Sequence, residues 1–137
     1  EIIFYDKYVS GHERYEKVDT LDELVTRADV VSLHARMTPE TENLINAHHF
    51  GLMKSSAIIV NTARSGLINE RDLIDALQTG KIMGAALDTF DDEPLTDDSA
   101  FYLLNNVTIT PHIAGSTLDA FSNSPKLFAE ILLKKLS

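Results

Sequence analysis

Residues 58–112 read IIVNTARSGLINERDLIDALQTGKIMGAALDTFDDEPLTDDSAFYLLNNVTITPH. Three times in this stretch an apolar run ends abruptly in polar or charged residues: at Arg64, at Asp88 with Glu93 close behind, and at His112. Apolar runs of this length, separated by a helical pattern or a short loop, read as buried parallel strands whose carboxyl ends open on a common crevice. A cation, two carboxylates and an imidazole would meet there. That set suits acid–base chemistry on an anionic substrate.

Outward from this stretch the alternation continues. Residues 1–6 read as a strand followed by a loop in which Gly11 breaks the pattern. Leu21, Leu24, Val25 and Ala28 lie on one helical face, with Thr20 as N-cap and Glu23 at the capping-box position. Residues 29–34 form the next buried strand, ending at His34. Thr38 as N-cap and Pro39 at the first helical position predict a short helix, and residues 47–53 a further turn or two. Strands are expected over 57–62, 82–90 and 107–110, a helix over 69–78 ended by Gly80, and a helical turn over 99–104. Gly84, Ala85 and Ala86 suggest close approach of a helix or a ligand. From Ser116 a long apolar-periodic helix should be kinked or divided at Pro125, with Ser124 able to cap its second half. The fold expected is α/β, a Rossmann-like parallel sheet with helices on both faces, truncated at both ends.

With 137 residues, 44% of them hydrophobic, the chain suffices for one globular domain. Its net charge of −9 disfavours nucleic acid or an anionic membrane as partner, since either selects clustered Lys and Arg. The absence of cysteine removes disulfides and thiolate metal sites and fits a reducing compartment. No apolar run approaches the ~20 residues that span a bilayer. The expectation is a soluble, cytoplasmic protein. The opening EIIFYD reads as a strand in full stride and the closing EILLKKLS as a helix cut short, so both ends look internal to a larger protein.

Five blocks in this order resemble one family: YD at the end of the first strand, ADVVSLH followed by TPETENLIN, NTARSGLINE, GAALDTFDDEPL, and TPHIAGST. The chain is similar, from about Tyr5 to Thr117, to the NAD-dependent D-isomer-specific 2-hydroxyacid dehydrogenases, which act on lactate, glyoxylate/hydroxypyruvate or phosphoglycerate. The resemblance implies a partial NAD-binding domain over residues 1–137, lacking the Gly-rich G-x-G-x-x-G turn that precedes the YD strand in that family. It also implies a homodimer and no metal.

The resemblance assigns catalytic roles to Arg64, Glu93 and His112. Arg64 would grip the carboxylate of a 2-hydroxy or 2-keto acid with its planar fork. His112 would exchange the hydroxyl proton, and Glu93 would raise the imidazole's proton affinity and fix its tautomer. Cofactor contacts are expected from Asp6, His34, Thr62, Ala63, Arg64, Asp88, His112 and Gly115. Asp6 ends a strand, where a carboxylate accepts both ribose hydroxyls of NAD and repels the 2′-phosphate of NADP, although Lys7 beside it partly offsets that repulsion. Each residue also has a plain structural use: a surface arginine, a hydrogen-bonded strand-end histidine, a solvated loop glutamate, an aspartate cap. Thr38 is better read as a helix cap than as a cofactor contact. His48 and His49, being adjacent, are expected to point apart on the surface and not to form a metal pair. Two departures stand out, Arg36 where the family usually has proline and Pro125 in the last helix. Among other readings, NAD-sensing co-repressors of the same fold keep much of this site. A phosphoacceptor module centred on Asp6 lacks its second carboxylate and lysine, and formate dehydrogenases carry Gln at the position of Glu93.

Overall fold

Val31, Leu33, Ile59, Asn61, Ala85 and Leu87 are buried, and more exposed neighbours alternate with them along three of the strands. In the computed structural model, which describes residues 1–136, these strands belong to a four-stranded parallel sheet. It comprises β3 (Val30–Leu33), β4 (Ile58–Asn61), β5 (Gly84–Leu87) and β6 (Val107–Ile109), in the order β3-β4-β5-β6. Two shorter strands, β1 (Ile3–Phe4) and β2 (Glu16–Lys17), pair in parallel as a separate sheet. β2 is absent from the sequence reading, because two residues inside a polar stretch carry no periodic signal. The register aligns Leu33 with Asn61, Asn61 with Leu87 and Leu87 with Ile109, so the carboxyl ends of the four strands form one row.

Helices α1 (Leu21–Arg27), α2 (Ala47–Leu52) and α3 (Glu70–Gln78) contribute Val25, Phe50, Leu73, Ala76 and Leu77 to the same hydrophobic cluster as the inward strand residues. Burial of leucines such as Leu73 and Leu77 stabilises the fold by about 2 kcal/mol each. The helix ends follow their capping chemistry. Thr20 accepts from the Glu23 N–H at 3.1 Å and Asn69 from the Asp72 N–H at 3.0 Å. Beyond α3, Gly80 takes φ +68°, which its missing Cβ permits.

Three expectations are corrected. The helix predicted to start at Thr38 is a turn. Asn43 adopts φ +52° and donates its N–H to the Gly66 carbonyl, which diverts the chain into a bridge between Ile45 and Ile68 before a second helical turn can form. Thr38 caps nothing; its hydroxyl meets that of Thr41 at 3.2 Å. Secondly, Pro125 does not divide the final helix, α4 (Leu118–Leu136), which runs through it without a break. None of its described residues is buried, so water can take up the carbonyl that the proline leaves without a donor. Thr117, and not Ser124, provides the hydroxyl that accepts from a first-turn N–H, that of Ala120 at 3.0 Å. Thirdly, the small residue Gly84 makes room for backbone: a Cβ there would stand 2.8 Å from the Asn106 carbonyl oxygen, so the close neighbour is the strand next door and not a helix or ligand. No helix among the described residues is long and apolar enough to cross a membrane.

Candidate active site

Past the row of strand ends, the chain leaving β5 enters Asp88, a residue only 2% exposed. It accepts from the Thr110 hydroxyl, from the Ile113 N–H at 2.9 Å and from the Ala114 N–H at 2.8 Å. Burial alone would push this carboxyl up. The Thr110 hydroxyl and the Ala114 and Ile113 N–H groups outweigh it and hold the group below its ordinary value. Asp88 therefore clamps the loop that follows β6. Within that loop His112 takes φ +55°, a left-handed conformation costly for a residue with a Cβ, and donates its N–H to the Thr110 carbonyl.

That conformation presents the imidazole to Glu93. His112 Nδ1 lies 2.8 Å from Glu93 Oε2, and the Phe90 N–H donates to Glu93 Oε1 at 2.9 Å. The His112 hydrogen bond first, and the Phe90 N–H second, hold the Glu93 carboxyl below its ordinary value. The carboxylate is thus ionised at neutral pH and fixes the tautomer with the proton on Nδ1, leaving Nε2 to exchange a proton. Both side chains are about half exposed on a cavity of about 440 Å³, lined also by Leu95, Tyr102 and Ile109.

Arg64 leaves the neighbouring strand β4. Its guanidinium is exposed and donates to the Ala63 carbonyl at 2.6 Å, and it forms no hydrogen bond or ion pair with Glu93 or His112. Sequence reasoning passed over the residue that shapes this turn. Asn61, 1% exposed, donates to the Arg64 carbonyl at 2.8 Å and accepts from the Ala63 N–H at 3.1 Å. Its carbonyl also accepts from the Asp88 N–H, which joins the Arg64 turn to the Asp88 clamp. An asparagine closing an otherwise apolar strand was the available signal. Thr62 and Ala63 share the turn, and Gly115 lies in the exposed loop after His112.

Asp6 and His34 stand elsewhere, both lining a cavity of about 750 Å³ between β1 and β3. Asp6 accepts from the Tyr8 and Val9 N–H groups, which hold its carboxyl below the ordinary value. Lys7 is turned to Glu40, at 2.9 Å, so its charge is engaged across the cleft. His34 Nε2 is 2.9 Å from the Ser32 hydroxyl. The expectation that His48 and His49 point apart is overturned: their ring centroids are 5.1 Å apart and both approach Asp22.

Residues 1–114 match the family described as D-isomer specific 2-hydroxyacid dehydrogenase, NAD binding domain. The chain belongs to this dehydrogenase family. It is 44% identical over 139 aligned residues to D-3-phosphoglycerate dehydrogenase of Methanocaldococcus jannaschii, a match covering 98% of this chain and 26% of that protein. The NAD-complexed D-isomer specific 2-hydroxyacid dehydrogenase of Lactobacillus delbrueckii ssp. bulgaricus superposes with TM-score 0.80 at 34% identity, covering 97% of this chain and 45% of the other. A relative from Xanthobacter autotrophicus Py2, in complex with NADPH and MES, superposes with TM-score 0.84 at 27% identity, covering 98% of this chain and 56% of the other. The chain spans about a quarter of the length of the first relatives it matches.

For a chain of the dehydrogenase family the two cavities have complementary chemistry. A carboxylate acceptor at the end of β1 suits ribose hydroxyls, and an imidazole–carboxylate pair beyond β6 suits the reacting end of a nicotinamide nucleotide. The residues present fit such a cofactor at both ends.

Proposed function

We propose that this chain is part of an NAD-dependent oxidoreductase that interconverts a D-2-hydroxy acid and the corresponding 2-keto acid, of the lactate, glyoxylate/hydroxypyruvate or phosphoglycerate type. The observation that carries the reading is the His112–Glu93 pair at 2.8 Å, held at a strand end by the buried Asp88 clamp. NAD would supply or accept the hydride. His112 Nε2 gives a proton to the keto oxygen in reduction and takes it from the hydroxyl in oxidation. Glu93 stabilises the protonated imidazole. Arg64, exposed beside the adjoining strand end, is free to turn its fork toward the substrate carboxylate. Asp88 acts on the reaction by holding the His112 loop, and Gly115, Thr62, Ala63 and His34 border the cofactor.

Asp6, with Lys7 drawn away to Glu40, favours NAD over NADP. Residues 1–137 serve as part of a nucleotide-binding domain within a larger cytoplasmic homodimer, a reading that rests on the family resemblance. The test is NADH absorbance with a panel of 2-keto acids and the full-length protein. Oxidation with at least one acid is expected, and a folded protein that binds NADH yet reduces none would overturn the assignment.

A further inference from the structure

Remote in sequence from the strand-end residues, α1 and α2 bring together three side chains that the dehydrogenase reading does not use. Asp22 sits in the first turn of α1, and His48 and His49 in the first turn of α2. His48 Nε2 lies 3.0 Å from Asp22 Oδ2, and His49 Nε2 lies 3.6 Å from Asp22 Oδ1. One donor atom from each residue falls within 4.8 Å of the other two. The two rings meet edge to face, at 77°, so both Nε2 atoms can approach one carboxylate although the residues are sequence neighbours.

An exposed histidine–carboxylate pair is the simpler account, and it suffices for His48. The second imidazole, with a side chain only 13% exposed, is aimed at the same carboxylate. The capping of α2 accounts for one edge of His49: Nδ1 lies 3.3 Å from the Asn46 N–H and 3.2 Å from the Asn46 side-chain oxygen. In this state Nδ1 accepts from the Asn46 N–H; binding a metal through Nε2 moves the ring proton to Nδ1, where the Asn46 side-chain oxygen can accept it in place of that bond. Metal-binding imidazoles are commonly oriented by such a bond on the far nitrogen.

We propose that Asp22, His48 and His49 form a surface site for a borderline divalent transition-metal ion, best matched by Zn2+, bound through two imidazole Nε2 atoms, one carboxylate oxygen and solvent. Two nitrogens and one oxygen with an open fourth position suit zinc and exclude a preference for Mg2+ or Ca2+, which select oxygen donors. Tetrahedral zinc with bonds of about 2.0–2.1 Å sets its donors about 3.4 Å apart, so the widest pair must close by at most about 1.4 Å. Asp22 and His48, both more than half exposed, can supply that movement by side-chain rotation. The ion would tie α1 to α2.

The test titrates ZnCl2 into the full-length protein by calorimetry, with MgCl2 in parallel, and repeats it on His48→Ala and Asp22→Asn variants whose fold is verified by circular dichroism. Expected are saturable one-to-one uptake of zinc, none of magnesium, and a loss of affinity of about ten-fold or more in each variant. Co2+ in place of zinc should give the visible absorption of a four-coordinate ion, lost in both variants. Zinc uptake that survives either substitution undiminished, or no saturable uptake by the unaltered protein, overturns the proposal. Neither outcome bears on the dehydrogenase reading, because none of the three residues belongs to it.

Discussion

The strand-end cluster beyond β5 and β6 and the cleft between β1 and β3 are built by opposite means. Asp88 takes its three hydrogen bonds from residues 22 to 26 positions away. Asp6 takes both of its bonds from residues two and three positions on. The first arrangement exists only in the folded chain and holds His112 in a conformation it would otherwise avoid. The second is a local turn that needs little else. On the proposed roles, acid–base geometry at His112 must be held to fractions of an ångström, which long-range bonds supply, whereas a hydroxyl-accepting carboxylate at Asp6 would have looser demands.

The largest effect expected on this contrast is catalytic. In the full-length protein His112→Ala should lower kcat by about 10²–10⁴-fold with little change in KM, measured by NADH absorbance. Retained turnover would remove the proton donor and with it the special status of the cluster. Asp88→Ala should cost about 3 kcal/mol in denaturant unfolding, since it leaves two loop N–H groups and the Thr110 hydroxyl without their acceptor. Asp6→Ala, read in the same way, should cost clearly less, and equal losses would break the comparison. Gly84→Ala should cost about 2 kcal/mol by forcing β5 from the Asn106 carbonyl, and a neutral result would mean that the β5–β6 spacing yields easily.

The smallest effects are those of pH, and their sign differs between carboxylates. Glu93, Asp88 and Asp6 are all held below their ordinary values. The stability they lend is complete above the unfolded carboxylate range and is lost as pH falls through their folded values. Glu70 runs the other way. Burial raises it most, with Asp91 and Asp92 adding to that, against the Asp91 N–H that it accepts. Its stabilising effect is therefore present in acid and lost as pH rises through its folded value. Glu70→Gln should raise the melting temperature at neutral pH and lose that advantage in acid; the reverse pattern in a thermal scan across pH would reject the assignment.

Much of this was open to reading in the chain. The apolar runs over 29–34, 57–62, 82–90 and 107–110 pointed to four parallel strands, because short apolar runs separated by helical patterns or loops read as strands buried on both faces. The caps at Thr20 and Asn69 were legible since they depend on bonds three residues long. The pairing of Glu93 with His112 came from family resemblance and not from spacing, as a glutamate in an acidic loop has no periodic signature. What stayed hidden was mostly what a distant partner or exposure to solvent decides. Thr38 and Pro39 carried every local signal for a helix, yet the bond from Asn43 to the Gly66 carbonyl turned the chain away. Pro125 carried the signal for a break, yet an exposed helix tolerates it.

The sequence by itself determined the four strands of the larger sheet, their common direction, the starts of α1 and α3, and the family, because each rests on short apolar runs, capping or an ordered set of motifs. Only the tertiary structure decided that Asp88 clamps the His112 loop, that Asn61 shapes the Arg64 turn, and that Asp22, His48 and His49 meet. Apart from the short bonds that Asn61 makes within its own turn, these contacts join residues that the chain keeps apart, and packing of the intervening elements sets their distance.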